Sequence, residues 1–267
     1  MNEIICPESL LGLNRRVKVA LVGAGGTGGS CATLLFKLNT VLKKLGGYGL
    51  DVTIYDPKKV SGANIGRQPY WNSCDEGHYK SRLLVNRFNQ FGNVNWSFST
   101  EKFNGIDAVE IDLLITTVDS AKARLEIAHG IKDINHRRKP KALWLDLGNA
   151  STVGQAFLGS LYGYSDEFKL VSPHDIFGSS WSDSVANDAE VSKPSCSTDE
   201  AITKQSFGVN DVLATNAFAM LIFPLIRRGK IKNHGFRFDL LECVTEPIAV
   251  DPFVWQMYGF NPDSKAA

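Results

Sequence analysis

A glycine-rich turn between an apolar run and a helical pattern constrains this chain more than any other feature of its sequence. The run Val17–Val22 is apolar and rich in β-branched residues, which predicts a buried parallel strand. The residues from about Gly28 to Leu45 predict the helix that follows. Glycines at such a junction let the backbone turn tightly and approach a phosphate at the helix N-terminus. We therefore predict a nucleotide site whose contacts include four glycines, Gly23, Gly25, Gly26 and Gly28.

Strand-like and helix-like segments then alternate along the first half of the chain. Predicted strands lie at about residues 52–55, 94–98, 112–118 and from 143. Predicted helices lie at about residues 79–91 and 120–135. This alternation predicts an α/β fold with a Rossmann-like, doubly wound and mostly parallel sheet.

The second half of the sequence changes character after a predicted strand at 154–161. Residues 163–200 are rich in Ser, Asp and Pro without periodicity, which predicts a functional loop, a lid or a disordered segment. A long helix at about 209–228 and a closing strand near 236–241 complete the predicted C-terminal extension. We predict a single domain over residues 1–267. Its three parts are a nucleotide-binding core (17–160), a crossover loop (161–200) and a C-terminal helix and strand region (201–267).

The composition narrows the classes of partner. With 43% hydrophobic and 21% charged residues the chain matches ordinary soluble domains, and its net charge of +1 provides no field to recruit nucleic acid or an anionic membrane. The five cysteines are scattered without a Cys-x-x-Cys pair, which argues against structural zinc and a secreted disulfide scaffold. The N-terminus lacks a signal-peptide run, and the apolar stretch Ala217–Ile226, interrupted by Pro224, is too short to span a bilayer. We expect a cytoplasmic protein that binds neither nucleic acid nor membrane.

Asp56 is the predicted partner of the nucleotide ribose. It ends the second predicted strand, where a carboxylate accepts hydrogen bonds from sugar hydroxyls in dinucleotide-binding folds. It lies further from the last glycine than the usual ~20 residues, because the first helix and the loop at 47–49 are long. Asp51 is the competing acidic residue, but it precedes the predicted strand and therefore lies at the other edge of the sheet.

Residues beyond the glycine turn form a set that a dehydrogenase does not need. In chain order the set comprises Asp56, Val60, Ser61, Asn64, Arg67, Gln68, Lys80, Asp119 and Arg124. In this order, over residues 17 to about 160, it resembles the motifs of the ThiF/MoeB/HesA superfamily of ubiquitin-activating-enzyme-like proteins. Three shorter runs resemble the ThiF family of bacterial PRTRC loci more closely: Gly66–Gln68, Trp144–Asn149 and Pro194–Ser197.

The resemblance implies an ATP-dependent adenylating enzyme with ATP and Mg²⁺ as cofactors. The implied substrate is the C-terminal carboxylate of a small ubiquitin-like protein. The resemblance also implies a conjugating-enzyme-like protein as a further partner and a homodimeric assembly. By the family pattern Arg67 and Lys80 clamp the phosphates, and Asn64 orients them. Gln68 supports the site, and Asp119 ligates Mg²⁺, which prefers carboxylate and phosphate oxygens.

The residues themselves leave several of these roles open. Arg67 and Lys80, taken singly, are ordinary surface cations. An alternative role for Asp119, compatible with metal ligation, is to cap the helix that starts at Ser120. Arg124 either contributes to the site or forms a structural ion pair with Asp119.

Cys196 is the candidate nucleophile for a second step. It lies in the polar segment before the C-terminal helix, where related activators carry a cysteine that accepts the acyl group as a thioester. The alternative is a loop cysteine without chemistry. Cys31 and Cys243 are predicted to be buried, and Cys74, in a loop near the phosphate motif, is a minor candidate.

Two departures from the family pattern keep other functions open. The chain lacks paired Cys-x-x-Cys motifs, and residues 1–14 contain no arginine that could reach the ATP of a neighbouring subunit. Arg15 and Arg16 lie too close to the first strand to do so. The rival functions are a catalytically idle ATP-binding scaffold, an activator of a small molecule as in tRNA modification, and an NAD-dependent dehydrogenase. The last explains the glycine turn but not residues 64–68.

Overall fold

A mixed β-sheet organises the chain. The computed structural model describes residues 3–132, 141–165, 167–188 and 206–261. In chain order the strands are β1 (Ile4–Ile5), β2 (Val17–Val22), β3 (Leu50–Tyr55), β4 (Ser97–Ser99), β5 (Leu113–Thr116), β6 (Leu143–Asn149), β7 (Val153–Ser160), β8 (Lys230–Ile231), β9 (Asn233–Asp239) and β10 (Val244–Ala249). Within these residues β1 pairs with β8, and the other eight strands form one sheet in the order β10-β9-β7-β6-β5-β2-β3-β4. The strands from β6 to β4 in this order are parallel, and β7, β9 and β10 extend the sheet in antiparallel fashion.

Helices cover the sheet. In chain order they are α1 (Gly26–Lys44), α2 (Lys80–Gly92), α3 (Ala121–Lys132), α4 (Pro173–Asp188), α5 (Val209–Arg228) and α6 (Pro252–Met257). Helix α1 packs against α5, and α3 packs against α4.

The side chains of β2 explain why its apolar run is continuous. Val19 and Leu21 belong to one hydrophobic core, whereas Ala20 and Val22 belong to a second core. Successive side chains of a strand point to opposite faces of the sheet, so both faces of β2 are buried. The prediction of an α/β fold with a Rossmann-like, doubly wound and mostly parallel sheet is confirmed.

A helix inside the predicted crossover loop is the largest departure from the sequence prediction. The segment is predicted to lack regular structure, but α4 occupies Pro173–Asp188. The serine and aspartate residues that indicate a loop here supply the helix cap. The Ser172 N–H donates to Asp175 Oδ2 at 2.9 Å, and the Asp175 N–H donates to Ser172 Oγ at 3.0 Å. Burial of Ile176 and Phe177 then stabilises the helix against the sheet.

The predicted long C-terminal helix is present, but it is not α-helical throughout. Phe218–Ile222 form a π turn within α5. Pro224 has no N–H for the carbonyl group one turn earlier and its ring crowds that carbonyl, so a wider turn relieves the conflict. By length and composition alone, α5 is the one helix among the described residues that could cross a membrane. Half of its apolar window is buried inside the protein.

The C-terminal region contains a β-hairpin in place of the single predicted closing strand. Strand β9 pairs with β10, which the sequence analysis does not predict. Cys243, predicted to be buried in a strand, is instead exposed in the turn between them, with a φ of 54°. Asp239 stabilises this turn, because its Oδ1 accepts the Leu241 N–H at 2.9 Å.

Two strand boundaries in the N-terminal half of the chain also differ from the prediction. Strand β4 is shorter than residues 94–98, because the Asn89 side chain binds both the N–H and the C=O of Trp96 at 2.9 Å. Strand β3 is longer than predicted, so Asp51 lies within it rather than before it. Asp51 is nevertheless near the amino-terminal end of β3, away from the end that carries Asp56.

Candidate nucleotide-binding site

A cavity of about 620 Å³ lies at the carboxyl ends of the parallel strands. The glycine turn after β2, the ends of β3 and β5 and the beginning of α3 line it. In open α/β sheets ligands bind at this edge, because loops and helix N-termini meet there. The lining contains six basic and three acidic residues: Lys58, Arg67, Lys80, Lys102, Lys122 and Arg124 against Asp56, Asp119 and Glu126. This excess of positive charge suits an anionic ligand.

The glycine turn brings the backbone of α1 to the cavity wall. Gly23 has a φ of 103°, and a Cβ there would lie 2.6 Å from Thr117 Oγ1, so only glycine fits. A Cβ at Gly28 would lie 2.1 Å from the carbonyl oxygen of Gly23. Gly23, Gly25 and Gly26 line the cavity, but Gly28 does not. Contrary to the predicted phosphate contact, Gly28 allows the first turn of α1 to pack on the glycine turn.

Asp56 lies at the cavity wall and is held by two backbone groups. Only 6% of the residue is exposed. Its Oδ2 accepts the Ala24 N–H at 2.7 Å, and its Oδ1 accepts the Lys58 N–H at 2.8 Å. The carboxylate therefore ties the glycine turn to the loop after β3, and each oxygen keeps a lone pair for a ligand hydroxyl. This position is compatible with the predicted ribose contact.

Lys80 places a buried ammonium group beside the cavity. Its Nζ donates to Gln68 Oε1 at 2.9 Å, and both residues line the cavity. Burial lowers the pKa of Lys80, and the charge of Asp56 opposes this effect. An ammonium group has three donors, so one bond to a neutral amide leaves Lys80 able to bind an anion.

Asn64 builds the turn that carries Arg67 and does not itself line the cavity. Its Oδ1 accepts the Ser61 N–H at 3.1 Å and caps the short 3-10 helix Gly62–Asn64. Its carbonyl oxygen accepts the N–H groups of Arg67 at 3.3 Å and Gln68 at 3.0 Å. Arg67 and Gln68 do line the cavity. Asn64 is therefore placed to position Arg67, not to orient phosphates as predicted.

The loop after β5 resolves roles that the sequence leaves open. Ser120 Oγ accepts a backbone N–H of α3 at 3.3 Å, so Ser120, and not Asp119, caps the helix. Asp119 lies at the cavity wall, where its Oδ2 is 2.6 Å from Lys58 Nζ. Arg124 forms its ion pair with Asp146, at 3.0 Å, and not with Asp119.

The Asp119 carboxylate is held in its ionised form. Loss of water raises its pKa, but the hydrogen bond and charge of Lys58, together with the charge of Lys80, outweigh this effect and lower it. Among the described residues, no three His, Cys, Asp or Glu side chains gather where they could hold a metal ion. A single ionised carboxylate fits Mg²⁺ that arrives with nucleotide phosphates, because Mg²⁺ is usually bound by one or two carboxylates plus phosphate oxygens.

Arg124 belongs to a buried hydrogen-bond network at the end of β6. Its Nη2 donates to the carbonyl oxygen of Leu147 at 2.9 Å, and its Nε lies 3.0 Å from Asp146 Oδ1. Asp146 Oδ1 also accepts the Thr116 hydroxyl at 2.6 Å, and Trp144 Nε1 donates to Thr116 Oγ1 at 2.8 Å. A buried ion pair together with a second hydrogen bond from Nη2 holds the guanidinium in one orientation. Arg124 therefore forms part of the cavity wall as a fixed structural element.

Two asparagines to which the sequence analysis assigns no role complete the wall. Thr27 Oγ1 lies 2.8 Å from Asn210 Oδ1 and 3.2 Å from Asn149 Oδ1, and all three residues line the cavity. Thr27 lies in the glycine turn, which the local sequence marks. Asn210 reaches the site only because α5 packs on α1, and no local pattern indicates that contact.

A second cavity, of about 790 Å³, opens beside the first, and we call it the groove. The two share Arg124, Gly148 and Asn149. A Cβ at Gly148 would lie 3.0 Å from Arg124 Nη2, so glycine keeps the shared boundary free of a side chain. The groove therefore leads directly to the nucleotide cavity.

The floor of the groove is the antiparallel part of the sheet. Strand pairing places Gly148 opposite Gln155, Gln155 opposite Arg237 and Arg237 opposite Glu246. The Arg237 Nε donates to Gln155 Oε1 at 2.8 Å. Three acidic residues line the groove at the β9–β10 end without an ion pair to another described residue: Asp239, Glu242 and Glu246. This end of the groove carries surplus negative charge.

The cysteines differ in their suitability as nucleophiles. Cys31 is buried as predicted, and burial raises the pKa of its thiol, which excludes a thiolate at neutral pH. Cys74 is exposed in a short 3-10 helix, Ser73–Asp75. Cys196 lies outside the described residues, so its predicted thioester chemistry stays a prediction.

Solved structures that share the fold of this chain include one of PaaA and two of MccB. A selenomethionine structure of PaaA has a TM-score of 0.58 at 16% identity, covering 91% of this chain and 75% of PaaA. Escherichia coli MccB with succinimide has a TM-score of 0.58 at 14% identity, covering 91% of this chain and 66% of that one. Escherichia coli MccB with ATP has a TM-score of 0.57 at 13% identity, covering 95% of this chain and 67% of that one.

These similarities establish the architecture. The chain has a Rossmann-like α/β fold like that of MccB, and it spans between 66% and 75% of the length of these structures. No protein-family model and no curated protein matches the sequence.

Proposed function

We propose that the chain is an ATP-dependent adenylating enzyme of the ThiF/E1-like type, which activates a carboxylate as an acyl adenylate. The observation that carries this proposal is the convergence of the glycine turn, Asp56, Arg67, Lys80 and Asp119 on one cavity. A dehydrogenase requires the first two features but not the three charged residues beyond them. The shared fold with MccB, a protein solved with ATP, favours ATP as the nucleotide.

The negative charge that develops in the proposed reaction lies next to the positively charged residues of the cavity. A carboxylate oxygen of the substrate attacks the α-phosphorus of ATP and forms a new C–O–P bond. The bond from the α-phosphorus to the bridging oxygen breaks, and pyrophosphate leaves with the electron pair. Negative charge accumulates on the phosphate oxygens, so preorganised positive groups lower the barrier. Arg67, Lys80 and the amino-terminal end of α1 supply that charge.

Another part of the cavity suits the nucleoside. Asp56 keeps lone pairs available for the ribose hydroxyls. Phe103, Val118 and Ile127 also line the cavity, and they offer apolar surface to the adenine ring. The polar and apolar parts of the lining therefore match the two ends of ATP.

Asp119 is the proposed ligand for the divalent cation that accompanies ATP. When bound, Mg²⁺ would neutralise charge on the phosphates and on the departing pyrophosphate. The lowered pKa of Asp119 keeps its carboxylate ionised at neutral pH, as metal ligation requires.

The proposed substrate is the C-terminal tail of a small ubiquitin-like protein. An extended tail fits the groove, and its terminal carboxylate would enter the nucleotide cavity past Gly148. The negative charge at Asp239, Glu242 and Glu246 favours a tail with basic residues upstream of the carboxylate. A small carboxylic acid, the rival substrate, would leave most of this 790 Å³ groove unused.

The finer parts of the proposal rest on the family resemblance. They are a homodimer, a conjugating-enzyme-like partner, a cytoplasmic setting and a thioester on Cys196. The apolar side of α5 largely faces the protein's own core, through Phe218 and Leu225, and the large apolar side chains that it leaves exposed for a dimer are Met220 and Phe223. If Cys196 accepts the acyl group, Cys196→Ser should retain pyrophosphate exchange but lose a reductant-sensitive conjugate.

ATP–pyrophosphate exchange with candidate ubiquitin-like partners tests the proposal. We expect exchange by the wild type and a loss on the order of 100-fold in Arg67→Ala, because one charge-stabilising contact is removed. Arg227→Ala, an exposed arginine at the end of α5, is the matched control and should retain activity. ATP binding without exchange would favour the idle scaffold. Binding of NAD but not of ATP would exclude the adenylating function.

A further inference from the structure

Lys58 occupies the position on Asp119 that the proposed function gives to a divalent cation. The Lys58 Nζ lies 2.6 Å from Asp119 Oδ2, and both residues line the nucleotide cavity. Lys58 follows β3 and Asp119 follows β5, so the ion pair connects two loops across the cavity wall. The carboxylate lone pairs that accept an ammonium group are the same ones that coordinate a metal ion. The two cations therefore compete for Asp119.

The backbone of Lys58 is anchored, whereas its side chain is accessible. The Lys58 N–H donates to Asp56 Oδ1 at 2.8 Å, and its carbonyl oxygen accepts the Lys80 N–H at 3.0 Å. The side chains of Lys58 and Asp119 are 61% and 76% exposed. A lysine side chain has a long flexible stem, so its ammonium group can exchange partners without a change in the loop.

We propose that Lys58 is the counter-ion of Asp119 in the nucleotide-free protein, and that its ammonium group moves to the nucleotide phosphates when a divalent cation binds Asp119. This inference rests on the proposed function, because it requires that the cavity bind ATP. The inference gives Lys58 two roles. It neutralises Asp119 when no metal ion is bound, and it binds the nucleotide phosphates when one is.

The charges at the cavity wall determine how removal of Lys58 changes the affinity for ATP with and without a metal ion. In the wild type Lys58 cancels the charge of Asp119, so this carboxylate does not repel metal-free ATP. Without Lys58 the Asp119 carboxylate repels metal-free ATP and attracts a divalent cation more strongly. With Mg²⁺ present, the tighter hold of the bare Asp119 carboxylate on the cation offsets the lost contact between Lys58 and the phosphates. In EDTA nothing offsets the repulsion, so removal of Lys58 weakens the binding of metal-free ATP more than the binding of Mg-ATP.

Lys59 provides a matched control. It is the next residue in the chain, but it does not line the cavity, and its Nζ lies over the ring of Tyr79 at 5.1 Å from the centroid. Lys58→Met and Lys59→Met therefore change the net charge equally, and only the first changes the environment of Asp119.

The experiment is isothermal titration of ATP into each protein, once with EDTA and once with excess Mg²⁺. The quantity of interest is the Kd in EDTA divided by the Kd in Mg²⁺. For Lys58→Met we expect this ratio to rise about tenfold over the wild type, the order of magnitude of the repulsion between two like charges near a protein surface. Lys59→Met and Lys58→Arg should keep the ratio of the wild type. In Lys58→Met/Asp119→Asn the ratio should fall back, because no bare carboxylate remains.

The possible results separate this inference from the proposed function. An unchanged ratio in Lys58→Met, or an equal rise in Lys59→Met, overturns the inference and leaves ATP binding intact. No ATP binding by the wild type in either condition overturns both. Asp119→Asn gives an independent reading that does not require the Lys58 variant to fold. It should bind metal-free ATP more tightly than the wild type and lose its response to Mg²⁺, and the opposite result contradicts the inference.

Discussion

The hydroxyl oxygen of Thr27 lies 2.8 Å from Oδ1 of Asn210, although 183 positions separate the two residues in the sequence. Asn210 also packs on the glycine turn, since a Cβ at Gly26 would lie 2.6 Å from its Nδ2. The contact joins the beginning of α1 to the beginning of α5. The glycine turn near the beginning of the chain is therefore shaped by a residue in its last quarter.

Asn210→Ala should weaken ATP binding about tenfold and lower the free energy of unfolding by about 1 kcal/mol, because Thr27 loses a partner and the glycine turn loses a packing neighbour. Isothermal titration and denaturant unfolding measure the two effects. Asn216→Ala, on the same helix, is the control and should change neither. Unchanged ATP affinity in folded Asn210→Ala would mean that Asn210 does not shape the site.

Gly28→Ala should reduce the stability of the protein, whereas Gly25→Ala should reduce its affinity for ATP. The Cβ of Gly28→Ala would lie 2.1 Å from the Gly23 carbonyl oxygen, so we expect destabilisation of about 3 kcal/mol. At Gly25 the nearest atom, Gln68 Nε2, is 3.9 Å from a Cβ, so the protein should fold. The added methyl group would keep phosphates from the backbone, and ATP affinity should fall about tenfold or more. Thermal unfolding and ATP titration of both variants distinguish the effects, and equal stability of the two would contradict the assignment.

His234 should make stability depend on pH below neutrality. Burial lowers its pKa to about 4, although its hydrogen bond to the Leu158 carbonyl oxygen opposes the shift. The unfolded chain binds this proton near pH 6.5, so protonation favours unfolding. The stabilisation is complete above pH 6.5 and is lost as the pH falls toward 4, with about 2 kcal/mol lost between pH 7 and pH 5.

Urea unfolding at pH 7, 6 and 5 measures this slope. His234→Gln should remove most of it, since glutamine does not titrate. His78→Gln is the control, because His78 is exposed and should leave the slope as it is in the wild type. A slope that survives in His234→Gln would assign the pH dependence to other groups.

The acidic end of the groove should select the substrate tail. Wild-type protein should show a KM about fivefold lower for a synthetic tail with lysine upstream of the carboxylate than for the same tail with glutamate. Glu246→Lys should remove or reverse this preference while kcat changes little, because charges at the edge of a binding surface affect association more than the chemical step. Glu8→Lys, on an exposed residue near the N-terminus, should behave like the wild type. Pyrophosphate exchange measures both constants. Identical preferences in all three proteins would show that the acidic end of the groove does not determine which tail is preferred.

Much of the fold could be predicted because its signals are local. The continuous apolar run of β2 follows from burial of both faces of a parallel strand, and the glycines follow from a backbone that only glycine can adopt at Gly23. Helix α4 could not be predicted, because its Ser172 and Asp175 are also typical loop residues. Their role as a cap depends on burial of Phe177 against the sheet, which composition does not reveal.

The candidate site also contains a part that the sequence predicts and a part that it does not. Asp56, Arg67 and Lys80 lie in one continuous stretch of the chain, so their order in the sequence already indicates a shared site. The ion pair between Lys58 and Asp119 joins two separate loops. Pairs of this kind depend on strand order and helix packing, which fix distances between residues far apart in the sequence.

The packing of α5 on α1 also has a consequence for synthesis of the protein. Leu35 of α1 and Leu213 of α5 are buried in the same core, so α1 cannot cover its apolar side before α5 has been made. The 183 positions from Thr27 to Asn210 take on the order of ten seconds or more to translate, at about 5–20 residues per second. A nascent chain thus carries its glycine turn for that time without a finished nucleotide cavity. Helix α5, late in translation, determines when the growing polypeptide first completes this cavity.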